Sequence, residues 1–153
     1  MTLVKVTPIF IRTRAQRARV MKMKRQLNNY QMIIGQGICE HIIVVCNMMQ
    51  ELIFAGYEGL GTHEAMYQSL LITFMLQDKE LMSSIWESSS SNKTFDWLVC
   101  SFIRTHRRRE VIRAMYPCNL PVDITRDIAS RASEDIPYEV IHSLPRRARL
   151  IYR

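Results

Sequence analysis

The residues best placed to do chemistry are the cations. Arg12, Arg14, Arg17, Arg19, Lys22, Lys24 and Arg25 crowd one short stretch, and the first acid of the chain is Glu40. Arg107, Arg108 and Arg109 form a second knot, and Arg146, Arg147 and Arg149 a third cluster near the carboxyl end. Cations at this spacing suit phosphate backbones, where each neutralised phosphate releases counterions and gives a salt slope of about −0.9 per contact on duplex DNA. The same head also reads as a nuclear-import signal. It reads equally as an anionic-membrane contact in which Val20, Met23 and Leu27 enter the interface. No Phe, Tyr or Trp lies between Ile11 and Asn29, so stacking on single-stranded bases is not expected. Solubilising, solvated helix faces are the plain alternative for all three clusters.

Other chemistries find less to build on. Cys39-Glu40-His41 with Cys46 supplies some zinc-ligand types, as do Cys100, His106 and Cys118. Neither set has the paired spacing of a structural zinc site. Gly56, Gly59 and Gly61 stand in the wrong order for a dinucleotide fingerprint, and no Walker-type Gly-Lys-Ser/Thr occurs. The four histidines, His41, His63, His106 and His142, are scattered, and no nucleophile elbow surrounds a serine. The expectation is a protein that is not an enzyme and needs no cofactor or metal. The four cysteines are expected to be reduced thiols.

Charge is segregated along the chain. Residues 1–25 hold eight bases and no acid, and residues 26–103 carry a net −6. Residues 104–116 return to +4, residues 117–137 give −2, and residues 138–153 give +3, for a total of +7 over 153 residues. Such asymmetry points to nucleic acid, an anionic surface or an acidic protein as partner. Apolar residues make up 48%, enough for a packed core. No apolar run approaches the roughly 20 residues that cross a bilayer, and Pro8 and Arg12 interrupt the short apolar run at the amino terminus. A soluble, intracellular protein is expected.

The elements that must position these groups are helical. Leu3–Ile11 is β-prone, but Pro8 keeps it from a central strand. Val20, Met23, Leu27, Tyr30 and Ile34 follow a helical stripe from about Ala15. Gly35 and Gly37 then interrupt, and Ile38, Ile42, Val45, Met49 and Leu52 make a second stripe, widened by Cys39, Ile43, Cys46 and Ile53. A face this wide suits burial inside a bundle. The glycines from Gly56 to Gly61 break the chain, and Thr62 caps the next helix, carrying Met66, Leu70 and Phe74. Asp78 is expected to cap a short helix with Leu81, Met82, Ile85 and Trp86, and Ser88–Asn92 to form a polar linker. Thr94 caps a buried helix that runs on or restarts near Thr105. Tyr116-Pro117 stops it, Pro121 opens another helix with Ile124 and Ile128, and Val140, Ile141 and Leu144 mark a last short one. The fold class is all-α: an irregular bundle of six to eight short helices. A basic, extended arm covers residues 1–14, the helical domain 15–144, and an arginine-rich tail 145–153.

The arginine-rich, acid-free run Arg12–Arg25, set ahead of a Met- and Ile-rich helical body from Ile38 to Leu144, resembles the C accessory proteins of paramyxoviruses. The resemblance covers the chain as a layout. It implies a non-enzymatic viral accessory protein in the host cytoplasm, with the nucleus as a second compartment. Such proteins damp viral RNA synthesis through the polymerase complex. Some antagonise interferon responses by binding host signal transducer and activator of transcription proteins, or engage the membrane-scission machinery. The helical body would then be the protein-binding module and the basic head an auxiliary contact. The rival readings are a basic helical nucleic-acid-binding module, and a structural adaptor that forms homo-oligomers through the Ile38–Leu52 stripe.

Overall fold

The computed structural model describes residues 13–89 and 93–145. Leu3–Ile11, Arg12, most of the Ser88–Asn92 linker and the tail arginines Arg146, Arg147 and Arg149 lie outside the described residues. The rest is all helical. In chain order the helices are α1 (Arg14–Asn29), α2 (Ile38–Phe54), α3 (His63–Leu71), α4 (Leu76–Ser88), α5 (Phe95–Met115), α6 (Val122–Ala132) and α7 (Tyr138–Ser143). A 3₁₀ turn, Tyr116–Cys118, separates α5 from α6. No helix among the described residues is long and apolar enough to cross a membrane.

Helix α2 is the central element, with α1, α3 and α7 packed on it, while α5 packs on α3, α4 and α6. The α2 stripe behaves as its spacing predicts: Ile42, Val45, Cys46, Met49 and Leu52 are fully buried. They meet Met66 and Leu70 of α3, Met82 of α4, Leu98, Val99 and Phe102 of α5, and Val140 of α7 in one core. That burial lets α7, only six residues long, hold a helical shape that so short a segment would not keep alone in water.

Local signals set most of the boundaries. Thr62 accepts from the Ala65 N–H at 3.1 Å and Thr94 from the Trp97 N–H at 3.2 Å, each satisfying a donor the first helical turn leaves open. Helix α2 ends in a Schellman motif. The Tyr57 N–H reaches the Leu52 carbonyl and the Gly56 N–H the Ile53 carbonyl, both at 3.0 Å. Gly56 sits at φ +89°, where a Cβ costs roughly 1–2 kcal/mol. The hinge before α2 is also real: α1 stops at Asn29, and Gly35 lies at φ +88° in the connection.

Several expectations are corrected by the structure. Ile34 continues the α1 stripe in sequence, but the helix has already ended and Ile34 is 88% exposed. Asp78 caps nothing. Helix α4 starts earlier, at Leu76 behind Met75, and Asp78 lies inside its first turn. Phe74 is buried from the turn between α3 and α4 rather than from α3 itself. Pro121 is the cap of α6 and not its first residue. Ile124 and Ile128 do not enter the core. They are 49% and 41% exposed, and Ala129 is the residue that α6 buries. Of the two alternatives at Thr105 the structure takes the first: helix α5 runs on unbroken. At 1.5 Å per residue, its 21 residues span about 30 Å from the buried Phe95 end, and the arginine knot sits well along that length.

Candidate interaction surface

The head cations from Arg17 to Arg25 lie on a helix as their spacing predicts, and Arg14, expected in the arm, is the first residue of that helix. Thr13 opens α1 with a capping box: its hydroxyl accepts from the Gln16 N–H at 3.1 Å, and its own N–H donates to the Gln16 side chain at 2.8 Å. The pattern Thr-x-x-Gln ahead of the basic run is the sequence signal for this start. Val20 and Leu27, seven residues apart, are the buried anchors of α1 against the core. The polar face follows from that choice. Arg14, Arg17, Arg19, Lys22 and Arg25 are exposed, and Arg14, Lys22 and Arg25 point opposite the anchors by helical spacing. Lys24 is half-buried, its ammonium 5.3 Å from the centre of the Tyr57 ring, a cation–π contact worth about 0.5–1 kcal/mol. Helix α1 contains no acid, and no ion pair among the described residues involves its cations.

The α5 knot divides. Arg107 donates to the Asp135 carbonyl at 2.5 Å and stands 3.6 Å from the Cys39 sulfur. It therefore ties α5 to the α6–α7 connection and to the start of α2. Arg104 makes a parallel tie to the Glu134 carbonyl at 3.1 Å. Arg108 and Arg109 are exposed and enter no ion pair among the described residues, so their charge remains available to a partner. Three adjacent arginines read from sequence as one solvated or partner-binding group. The structure corrects this for Arg107, whose guanidinium is part of the fold.

Beside Arg107 lies a cavity of about 260 Å³ lined by Cys39, His106, Arg107 and Glu110. It gathers a thiol, an imidazole and an acid that the sequence scatters. His106 stands between two carboxylates, its Nε2 3.8 Å from Asp78 and its Nδ1 3.5 Å from Glu110. Both ring nitrogens face acids, which leaves neither directed at the Cys39 sulfur as a general base must be. Burial pushes the Asp78 carboxyl above its ordinary value, His106 pulls it back, and Glu110 raises it again.

The zinc-type residues are dispersed by the fold. His41 is buried, and its Nε2 meets the Thr73 hydroxyl at 2.7 Å. That hydroxyl donates to the Leu70 carbonyl at 2.6 Å, so the Nε2–H of His41 is the donor between them. Cys46 lies in the core, where burial pushes its thiol up to about 12. His63 accepts from the Phe95 N–H at 2.7 Å and joins the starts of α3 and α5. Among the described residues no group of three or more His, Cys, Asp or Glu could hold a metal ion.

In comparisons with family models, curated proteins and solved structures, nothing matches this chain.

Proposed function

We propose that the protein is a non-enzymatic accessory protein of the kind its layout resembles. It regulates viral RNA synthesis and antagonises host interferon responses by binding proteins of the polymerase complex and of host signalling. The observation that carries this reading is α1: an acid-free helix held to the core by Val20 and Leu27, with five exposed cations around the rest of its surface. Such a face is stable without a partner, and its charge is left for an acidic one. The exposed Arg108 and Arg109 add a second cationic surface on α5.

The same helix favours one rival. Its 16 residues span about 24 Å, room for several phosphates of a nucleic-acid backbone. Affinity purification of the full chain from transfected cells, with and without nuclease, separates the two. A polymerase reporter and an interferon-response reporter are read in parallel. The accessory reading expects nuclease-resistant protein partners and inhibition of at least one reporter. Both should be lost when Arg14, Arg17, Lys22 and Arg25 are changed to Glu. Nuclease-sensitive recovery with a steep salt dependence and silent reporters would replace it with the nucleic-acid module.

A further inference from the structure

The end of α5, the turn after it and the start of α6 enclose an apolar groove of about 450 Å³. Ile112, Met115, Tyr116, Leu120 and Val122 line it, with Arg126 at its polar side. Two of its apolar lining residues are open to solvent: Tyr116 is 85% and Val122 63% exposed. By helical spacing Val122 and Arg126 project toward the groove beside buried Ala129, whereas the exposed Ile124 and Ile128 lie well round the helix and are not lining residues.

We infer that this groove is a docking site for a short, acidic, amphipathic helix of a partner protein. The apolar lining calls for aliphatic or aromatic anchors, and the charge around it selects their flanks. Arg126 lines the groove, and Arg109 and Arg113 lie beside it on the face of α5 that carries the lining residue Ile112. Nearby acids are largely engaged: Glu110 faces His106 at 3.5 Å, and Asp127 pairs with Arg131 at 3.2 Å. Asp123, in the first turn of α6, lies outside the lining as Arg109 and Arg113 do, so the charge on and beside the groove is three arginines against this one acid. Arg109, Arg113 and Arg126 enter no ion pair among the described residues.

Secondary structure narrows the occupant. The groove is walled by helices whose backbone groups bond internally, and the described residues contain no strand edge for an extended peptide to pair with. A guest must satisfy its own backbone, which a helix does. A second copy docking groove to groove would set Arg109, Arg113 and Arg126 against their own counterparts. The chain's tail, with Arg146, Arg147 and Arg149, carries the same wrong sign. The inference concerns a surface apart from α1 and does not depend on the accessory-protein reading.

The test uses the full chain and two synthetic fluorescein-labelled peptides of about 16 residues, long enough to be partly helical. Both carry Leu at i, i+3, i+4 and i+7. One has Glu at the flanking positions and the other Lys. Fluorescence anisotropy should show the acidic peptide binding at least tenfold more tightly than the basic one. Val122→Glu should weaken it tenfold or more, and Arg126→Glu should narrow or reverse the preference. Both sites are exposed, and circular dichroism should confirm unchanged helicity. Ile34→Glu, on another exposed surface, should leave binding unchanged. The inference is overturned if Val122→Glu has no effect, or if both peptides bind equally. It is also overturned if only charge reversal on α1 abolishes binding. Self-association in sedimentation velocity that Val122→Glu removes would assign the groove to a second copy instead.

Discussion

Acid should destabilise this fold through one imidazole. His41 is fully buried where α2 meets the α3–α4 turn, stacked on Tyr30 at 5.4 Å and met edge-on by Phe74 at 4.7 Å. Its Nε2 is taken by Thr73, and its Nδ1 has no hydrogen-bond partner among the described residues. A proton on Nδ1 would place an unsolvated charge among rings, and burial accordingly lowers the pKa from 6.5 to about 4. The folded value lies below the unfolded one, so the folded state favours the neutral ring. Its contribution is fully present above pH 6.5 and is lost as pH falls from 6.5 to about 4. At 1.36 kcal/mol per pH unit the loss is about 3 kcal/mol, a large share of the roughly 5–15 kcal/mol that holds a domain folded. Urea unfolding followed by circular dichroism at pH 7, 6, 5 and 4, on the wild type and on His41→Phe, reads this directly. The other titrating groups are common to both proteins, so the comparison isolates His41. The wild type should lose about 3 kcal/mol more than the variant over that range. Equal pH slopes would refute the reasoning. Should His41→Phe fold poorly, an NMR titration of the wild-type ring decides the same question: a pKa near 6.5 would show that the ring is not held neutral by burial.

The remaining expectations concern the core, the arginine knot and the thiols. Val45→Asp puts an unpaired carboxylate among fully buried residues of α2 and should abolish the helical circular dichroism signal at 25 °C. Arg107→Glu removes the ties to Asp135 and Cys39 and should lower stability by about 1–3 kcal/mol in urea titrations. The double change Arg108→Glu and Arg109→Glu should alter stability by less than about 0.5 kcal/mol while weakening capture of partners. With a thiol-reactive chromophore at pH 8, exposed Cys118 should react within the first phase. Cys46, buried and pushed up to about 12, should react only on unfolding.

Sequence alone determined the features that depend on neighbours within a few residues. The caps Thr62 and Thr94, the hinge near Gly35, the break at Gly56 and the buried stripe from Ile42 to Leu52 each follow from short-range rules and hold in the structure. The all-α class follows from them, because successive helical stripes with no paired strands leave helix-on-helix packing as the way to bury apolar faces. The capping box Thr13-x-x-Gln16 is legible in the same way.

Tertiary structure decided whatever depends on residues far apart in the chain. Spacing puts Ile34 on the α1 stripe and repeats Ile124 and Ile128 at i, i+4, yet a stripe is buried only where another element covers it, and none of the described elements covers these. The arginine knot looks uniform in sequence. Only the fold brings the Asp135 carbonyl, 28 positions on, and Cys39, 68 positions back, to Arg107 and not to its two neighbours. His106 gains its two carboxylates, and His41 its Thr73 partner 32 residues away, by the same route. A helix repeats every 3.6 residues and exposes alternatives on all sides. Which side meets protein and which meets water is settled by how the helices cross, and no spacing along one helix records that.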